Sequence, residues 1–122
     1  MAVQDVKVIS VPVSDQERAK TFYVEKLKFA LSRDDDSVPG IRWVQVTPQA
    51  GGTSLTLVNW FDTMPAGSLQ GLVLGLSDLQ GDCAALAAAG VEFAQPLQEQ
   101  PWGAEAVIRD PDGNTIVLQQ VS

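Results

Sequence analysis

One strand–helix pattern occurs twice in this chain, and the second copy starts sixty-three residues after the first. In the first copy, an apolar run at 8–13 ends in Ser14-Asp15 and a helical pattern follows. In the second, the run at 72–76 ends in Ser77-Asp78 before an alanine-rich helical pattern. Aspartate is a preferred N-cap, so Asp15 and Asp78 are predicted to begin helices at equivalent positions. The chain of 122 residues therefore consists of two small modules of one plan.

Alternating apolar residues predict the strands of each module. Ile9, Val11 and Val13 share one face, and the following helix is expected to pack on it. Later segments repeat this period at 41–47, 55–58, 72–76 and 116–119. Turns are predicted at Pro39-Gly40, at Gly51-Gly52 and at Asp110-Pro111-Asp112-Gly113-Asn114. Each module then has the order β-α-β-β-β, which is an α+β fold.

The predicted boundaries follow from these elements. We expect a single domain over 1–122, with module one at about 1–59, a connection at about 60–68 and module two at about 69–122. No stretch approaches the ~20 apolar residues that span a bilayer, and no signal-like segment opens the chain. A cytoplasmic protein without membrane partners is predicted.

The charge of the chain restricts its partners. Fifteen acidic residues against eight basic ones give a net charge of −7, which opposes binding to nucleic acid or anionic lipid. Cationic small molecules are favoured instead, although surface acids also serve solubility alone. Asp34-Asp35-Asp36 is predicted to be a solvated loop, and the single cysteine, Cys83, a buried and unreactive thiol.

Several motifs of the chain occur together in one known family. They are Val11-Pro12-Val13-Ser14-Asp15, Arg18-Ala19-Lys20, Phe22-Tyr23, Ala89-Gly90-Val91-Glu92-Phe93, Pro101-Trp102-Gly103 and the closing 110–114 turn. With this set, the chain resembles the vicinal oxygen chelate superfamily, which includes glyoxalase I, extradiol dioxygenases, fosfomycin-resistance enzymes and bleomycin-resistance proteins. The resemblance implies two βαβββ modules that form a cup-shaped mixed sheet with helices on its convex face. It also implies a homodimer whose cavities take residues from both chains.

The family's metal site is not matched by this sequence. The resemblance places the metal ligands at Val8 and Gly71, and in the last strands at Thr56 and Val117. A divalent ion needs three or four convergent oxygen, nitrogen or sulfur ligands, and these positions offer one hydroxyl. The chain contains no histidine, so a Ser–His or Cys–His nucleophile pair is also excluded. We expect neither a metal nor another cofactor, whereas a carboxylate base such as Glu99 or Glu105 remains open beside a purely solvated role.

Aromatic residues at cavity and loop positions indicate a ligand-binding surface instead. The candidate wall comprises Trp43, Trp60, Phe61, Met64 and Trp102. Orienting hydrogen bonds are expected from Ser10, Gln45, Thr56 and Gln119. Trp60 and Phe61 fit a dimer-interface plug as well as a ligand wall, and Phe22 and Tyr23 are predicted to lie in the core.

These observations favour a metal-independent binding protein that resembles the bleomycin-resistance branch. Such a protein would confer antibiotic resistance by sequestering a planar aromatic or cationic natural product. The alternative is a metal-independent isomerase, lyase or cyclase that acts on an aromatic or polyketide-type substrate. A dimeric module without a small ligand is the third possibility.

Overall fold

The computed structural model describes residues 1–121 and contains two compact units, Met1–Ala66 and Gly67 onward. The first unit contains β1 (Val8–Pro12), α1 (Gln16–Thr21) with a π-helical extension (Phe22–Lys26), β2 (Ala30–Asp35), β3 (Trp43–Thr47) and β4 (Ser54–Val58). Its sheet has the order β1-β4-β3-β2, in which β1 runs parallel to β4 and the other pairs are antiparallel.

The second unit repeats this arrangement. It contains β5 (Leu72–Leu76), α2 (Leu79–Ala88), β6 (Phe93–Gln100), β7 (Gly103–Arg109) and β8 (Thr115–Gln120). The sheet order is β5-β8-β7-β6, again with one parallel pair, β5 with β8. The predicted α+β fold with two βαβββ modules is therefore confirmed. The segment predicted as a connection, 60–68, falls on both sides of the division between the units.

Both helices begin at the predicted aspartates. The Asp15 carboxylate accepts a hydrogen bond from the Arg18 backbone N–H at 3.1 Å. Asp78 accepts one from the Gly81 N–H, also at 3.1 Å. Each bond satisfies a backbone donor that has no partner within the helix, which is why aspartate is favoured there.

The core of the first unit lies between its helix and its sheet. Ala19 and Tyr23 are fully buried, and Phe22 is 5% exposed, as the helical pattern predicts. Val44 and Val46 of β3 are fully buried, whereas Trp43 and Gln45 between them are only half-buried. The strand therefore has an apolar face against the core and a second face that carries the candidate site residues.

The second unit has the same division. Leu79, Cys83 and Leu86 of α2 are buried, together with Ile108, Ile116 and Leu118 of the sheet. Cys83 is buried as predicted, and this burial raises the pKa of its thiol. A raised pKa keeps the thiol protonated and unreactive at neutral pH.

The predicted turn at 110–114 is confirmed, and it contains a side-chain network. Asp110 accepts hydrogen bonds from the backbone N–H groups of Asp112 and Asn114 at 2.9 and 3.0 Å. The fully buried Asn114 accepts a bond from the Leu69 N–H at 2.9 Å. These bonds fix the chain that enters β5 against the last turn.

One sequence prediction is wrong: Asp34 and Asp35 do not lie in a solvated loop. They end β2, and both carboxylates form ion pairs. Asp34 pairs with Lys20 at 3.0 Å and with Arg42 at 2.9 Å, and Asp35 pairs with Arg33 at 2.6 Å. Both residues are paired with β3, Asp34 with Val44 and Asp35 with Trp43, so the strand continues through the first two aspartates of the run. None of the helices within 1–121 has the length and apolar character needed to cross a membrane.

Candidate ligand-binding site

Three predicted polar residues lie side by side on the first sheet. The strand register pairs Ser10 of β1 with Thr56 of β4, and Thr56 with Gln45 of β3. Gln45 pairs in turn with Arg33 of β2. Residues paired across a sheet project from the same face, so Ser10, Thr56, Gln45 and Arg33 form one row across all four strands. We call this set the polar row.

Aromatic side chains lie beside the polar row, one on β3 and two in the segment that follows β4. The rings of Trp43 and Trp60 lie 5.9 Å apart at 31°, and those of Trp60 and Phe61 lie 5.9 Å apart at 52°. Trp43 and Trp60 are half-buried, and Phe61 is 49% exposed. Trp43, Trp60 and Phe61 thus form a continuous aromatic wall within the first unit, and part of it faces solvent.

A hydrogen bond joins the aromatic wall to the polar row. The Trp43 indole N–H donates to Gln45 Oε1 at 3.0 Å. On the same face, the guanidinium carbon of Arg33 lies 4.8 Å from the centre of the Trp43 ring, which is cation–π distance. Trp43 is therefore held in place by a neighbour in the row and by the arginine that ends it.

Arg33 is itself fixed by a carboxylate. Its Nε donates to Asp35 at 2.6 Å, and the Ser37 hydroxyl donates to the same carboxylate at 2.8 Å. The Arg33 guanidinium, followed by the hydroxyl and N–H of Ser37, lowers the pKa of Asp35 to about 2. A charged Asp35 keeps the guanidinium oriented over the indole.

A groove of about 590 Å³ borders this face beside the start of β1. Its lining includes Gln45 and Ser54, together with 5–8 and 52–53. Met64, the remaining predicted wall residue of the first unit, is half-buried. It lies in a turn in which its backbone N–H donates a hydrogen bond to the Phe61 carbonyl oxygen at 3.1 Å. The first unit therefore combines an aromatic wall, hydrogen-bonding groups and concave space.

The other two predicted site residues meet in the second unit. The Trp102 indole N–H donates to Glu105 Oε2 at 3.0 Å, and Gln119 Nε2 donates to the same oxygen at 3.4 Å. Trp102 is 67% exposed at the tip of the β6–β7 hairpin, and Glu105 and Gln119 are half-buried and adjacent in the register. Glu99 and Glu105 are the two residues considered above as a carboxylate base. Glu105 lies in this hydrogen-bonded cluster, whereas Glu99 is exposed.

The positions aligned with the family's metal ligands do not fit a divalent ion. Val8 is paired with Ser54 at the edge of the first sheet, and Val117 is paired with Val73 in the second. Only Thr56 among the four positions has a donor atom beyond the backbone. Across residues 1–121, no three His, Cys, Asp or Glu side chains are grouped as metal ligands. Lewis-acid chemistry at these positions has no ligand set to support it.

Sequence reasoning missed two contributors to these surfaces. Arg33 was missed because a bulge between Leu31 and Arg33 shifts the face on which β2 residues project. Gln95 was missed for the same reason: its amide nitrogen is buried without a hydrogen-bond partner in the described chain, and bulges flank it on β6. Strand pairing, rather than alternation, is the signal that locates such residues.

The chain is similar to known proteins over almost its whole length. Residues 6–118 match the model of the Glyoxalase/Bleomycin resistance protein/Dioxygenase superfamily. TnmS3, an antibiotic binding protein from Streptomyces sp. CB03234, has 52% sequence identity to this chain. Its crystal structure superposes with a TM-score of 0.93, and the match covers 100% of this chain and 99% of TnmS3.

Two further relatives agree with this match. A glyoxalase/bleomycin resistance protein from the same Streptomyces strain is 51% identical, with a TM-score of 0.86 over 95% of this chain and 100% of its own. YetH of Bacillus subtilis (strain 168) is 30% identical over 97% of this chain and 99% of its own. The repeated βαβββ modules and these matches together show that the chain belongs to the Glyoxalase/Bleomycin resistance protein/Dioxygenase superfamily.

Proposed function

We propose that this protein binds a planar aromatic natural product and protects against it by sequestration, without metal chemistry. The observation that carries the proposal is the aromatic wall of Trp43, Trp60 and Phe61, with Arg33 and Gln45 fixing Trp43. Stacking on such a surface and burial of ring area provide affinity without a metal. TnmS3, which is 52% identical, is an antibiotic binding protein, and this similarity supports an antibiotic as the ligand.

A homodimer belongs to the proposal. The family resemblance implies a cavity that takes residues from two chains. In a single chain, Phe61 of the aromatic wall is 49% exposed. A partner chain or a ligand would cover this apolar surface.

The binding function is tested by titration of the protein with an anthraquinone antibiotic, mitomycin C and bleomycin. We expect at least one planar compound to quench tryptophan fluorescence and to saturate at a fixed stoichiometry. Trp43→Ala should weaken its binding by about tenfold or more, because both stacking and buried area are lost. Liquid chromatography should recover the compound unchanged.

Leu31→Ala is the matched control for this titration. Leu31 is a 44% exposed apolar residue of the same sheet, and it is paired with the buried Val46 on the face away from Trp43. Its truncation should leave affinity unchanged. If Trp43→Ala and Leu31→Ala have equal effects, or if no planar compound binds, the proposal is wrong.

The enzyme alternative rests on Glu105. Both donors in its cluster point to Oε2, so Oε1 is the oxygen that is available to accept a substrate proton. If this carboxylate is a base, product should exceed the protein in molar amount, and Glu105→Gln should abolish turnover while ligand binding persists. Recovery of unconverted compound with both forms of the protein would favour sequestration.

A further inference from the structure

We propose that the polar row recognises a hydrogen-bond acceptor on the ligand, so that the protein selects planar compounds with a ring carbonyl or phenolic oxygen over cationic ones. The inference rests on the binding function proposed above and specifies its ligand chemistry. It concerns Ser10, Thr56 and Gln45, with Arg33 at the end of the row.

Thr56 provides the first argument. Its residue is 2% exposed, and its hydroxyl oxygen has no hydrogen-bond partner within residues 1–121. A buried hydroxyl without a partner destabilises the fold, since its hydrogen bonds to water are lost and not replaced. Valine has nearly the same shape without this cost, so fold stability does not explain a threonine here.

The orientation of Gln45 provides the second argument. An indole N–H can only donate, so the Gln45 atom that lies 3.0 Å from Trp43 Nε1 must be the amide oxygen. The Gln45 NH₂ group therefore points away from the indole, and its two hydrogens are available as donors. Gln45 also lines the groove, so its side chain is within reach of a ligand that occupies this space.

The charge of the row provides the third argument. It contains two hydroxyls, an amide and a guanidinium, but no carboxylate. Asp35, which follows on this face, is already paired with Arg33 at 2.6 Å. The row therefore offers several donors to an acceptor oxygen and no unpaired carboxylate to a cation, and the adjoining groove is lined by Lys7 as well as Asp5, so it adds no net negative charge.

The exposure of the row defines the order of contact. Ser10 and Gln45 are half-buried and reach the surface, whereas Thr56 lies covered between them. The Gln45 NH₂ is therefore the more accessible donor of the row. Contact between a ligand oxygen and the Thr56 hydroxyl requires the Gln45 side chain, which is hydrogen-bonded to Trp43, to move aside.

A matched pair of probes tests this inference. 9-Fluorenone-2-carboxylate and fluorene-2-carboxylate share their ring system and charge and differ in one ring carbonyl. The wild-type protein should bind the fluorenone more tightly, as measured by calorimetry. Thr56→Val should weaken fluorenone binding roughly three- to tenfold, the range for one lost hydrogen bond, and leave fluorene binding unchanged.

The same variant should have the opposite effect on folding. Removal of the unpartnered hydroxyl should raise the Tm or leave it unchanged, so a loss of affinity cannot be attributed to unfolding. Thr56→Ser keeps the hydroxyl and should keep the preference for the fluorenone even if it packs less well. Thr115→Val, a half-buried strand threonine of the second unit, is the control and should change neither affinity.

The outcomes separate this inference from the proposed function. If both fluorenes bind equally to the wild-type protein and both depend on Trp43, the aromatic wall binds ligands and the acceptor inference is wrong. Equal weakening of both probes by Thr56→Val would also overturn it, as would tighter binding of the cationic 2-aminomethylfluorene through Gln45 and Thr56. If no fluorene binds and no planar antibiotic binds, the proposed function fails and the inference fails with it.

Discussion

At the scale of single residues, Gly67 has a conformation and an environment that only glycine tolerates. Its φ is +83°, and a Cβ built there would collide with the backbone carbonyl oxygen of Asp112. The same segment continues to Leu69, which donates to Asn114 in the 110–114 turn. The absence of a side chain at Gly67 therefore lets the start of the second unit pack against this turn.

Gly67→Ala should lower the free energy of unfolding by about 2–4 kcal/mol, because the cost of a left-handed backbone conformation and the cost of the clash with Asp112 add together. Urea denaturation followed by fluorescence measures the change. Gly51→Ala is the matched control, since φ there is +89° and a Cβ would meet nothing within 4 Å. Its cost should be only about 1–2 kcal/mol. Equal costs for the two variants would show that the Asp112 contact is unimportant.

At the scale of elements, ion pairs connect α1 to the β2–β3 hairpin. Asp34 of β2 binds both Lys20 of α1 and Arg42, which precedes β3, and Arg42 also binds Glu17 of α1 at 2.8 Å. Hydrogen bonds from Arg42, and then from Lys20, hold the pKa of Asp34 well below its usual range. The sequence run of three aspartates gave no sign of this network, since its partners lie on other elements.

The network predicts a specific dependence of stability on pH. The pKa of Asp34 is lower in the folded state than in the unfolded state, so its contribution is present above the unfolded pKa of about 4. It is lost as the pH falls below that value toward the folded pKa. Asp34→Asn should destabilise the protein by about 1 kcal/mol at pH 7 and have a smaller effect at pH 3.

Chemical denaturation at both pH values measures this difference. Asp36→Asn removes the same charge from the next exposed position beyond the strand and should change stability by less than about 0.5 kcal/mol. If Asp34→Asn destabilises equally at pH 3 and pH 7, the ion pairs are not the cause.

At the scale of the whole molecule, the expected assembly is a homodimer. Sedimentation should give about twice 13.0 kDa at micromolar concentration. A monomer under these conditions would contradict the expectation and would remove any cavity shared by two chains.

Phe61→Glu distinguishes the two roles considered for the segment after β4. Phe61 is 49% exposed, so the charge can be placed there without disrupting a core. A plug at the dimer interface predicts that the variant becomes monomeric, because a carboxylate is costly in an apolar contact. A ligand wall predicts an intact dimer with weaker binding of the planar compound. The wild-type protein is the reference for both measurements.

Much of the fold could be predicted from the sequence because the relevant signals are local. The N-caps Asp15 and Asp78 act on N–H groups three residues later, and alternation assigns Val44 and Val46 to the core. The candidate site was predictable only in part. Trp43, Gln45 and Thr56 follow from the phase of their strands, but their pairing with Ser10 and Arg33 requires the register.

The sequence by itself determined the two βαβββ modules, their helix starts and the lack of a metal ligand set, since each of these depends on residue type and short-range period. Only the tertiary structure decided three contacts. The Arg33 guanidinium lies over the Trp43 ring, Asp34 forms an ion pair with Lys20 of α1, and Glu105 accepts hydrogen bonds from Trp102 and Gln119. The physical reason is that these contacts are set by strand register. A single bulge, such as that before Arg33, moves a side chain to the other face of a sheet without any change in composition.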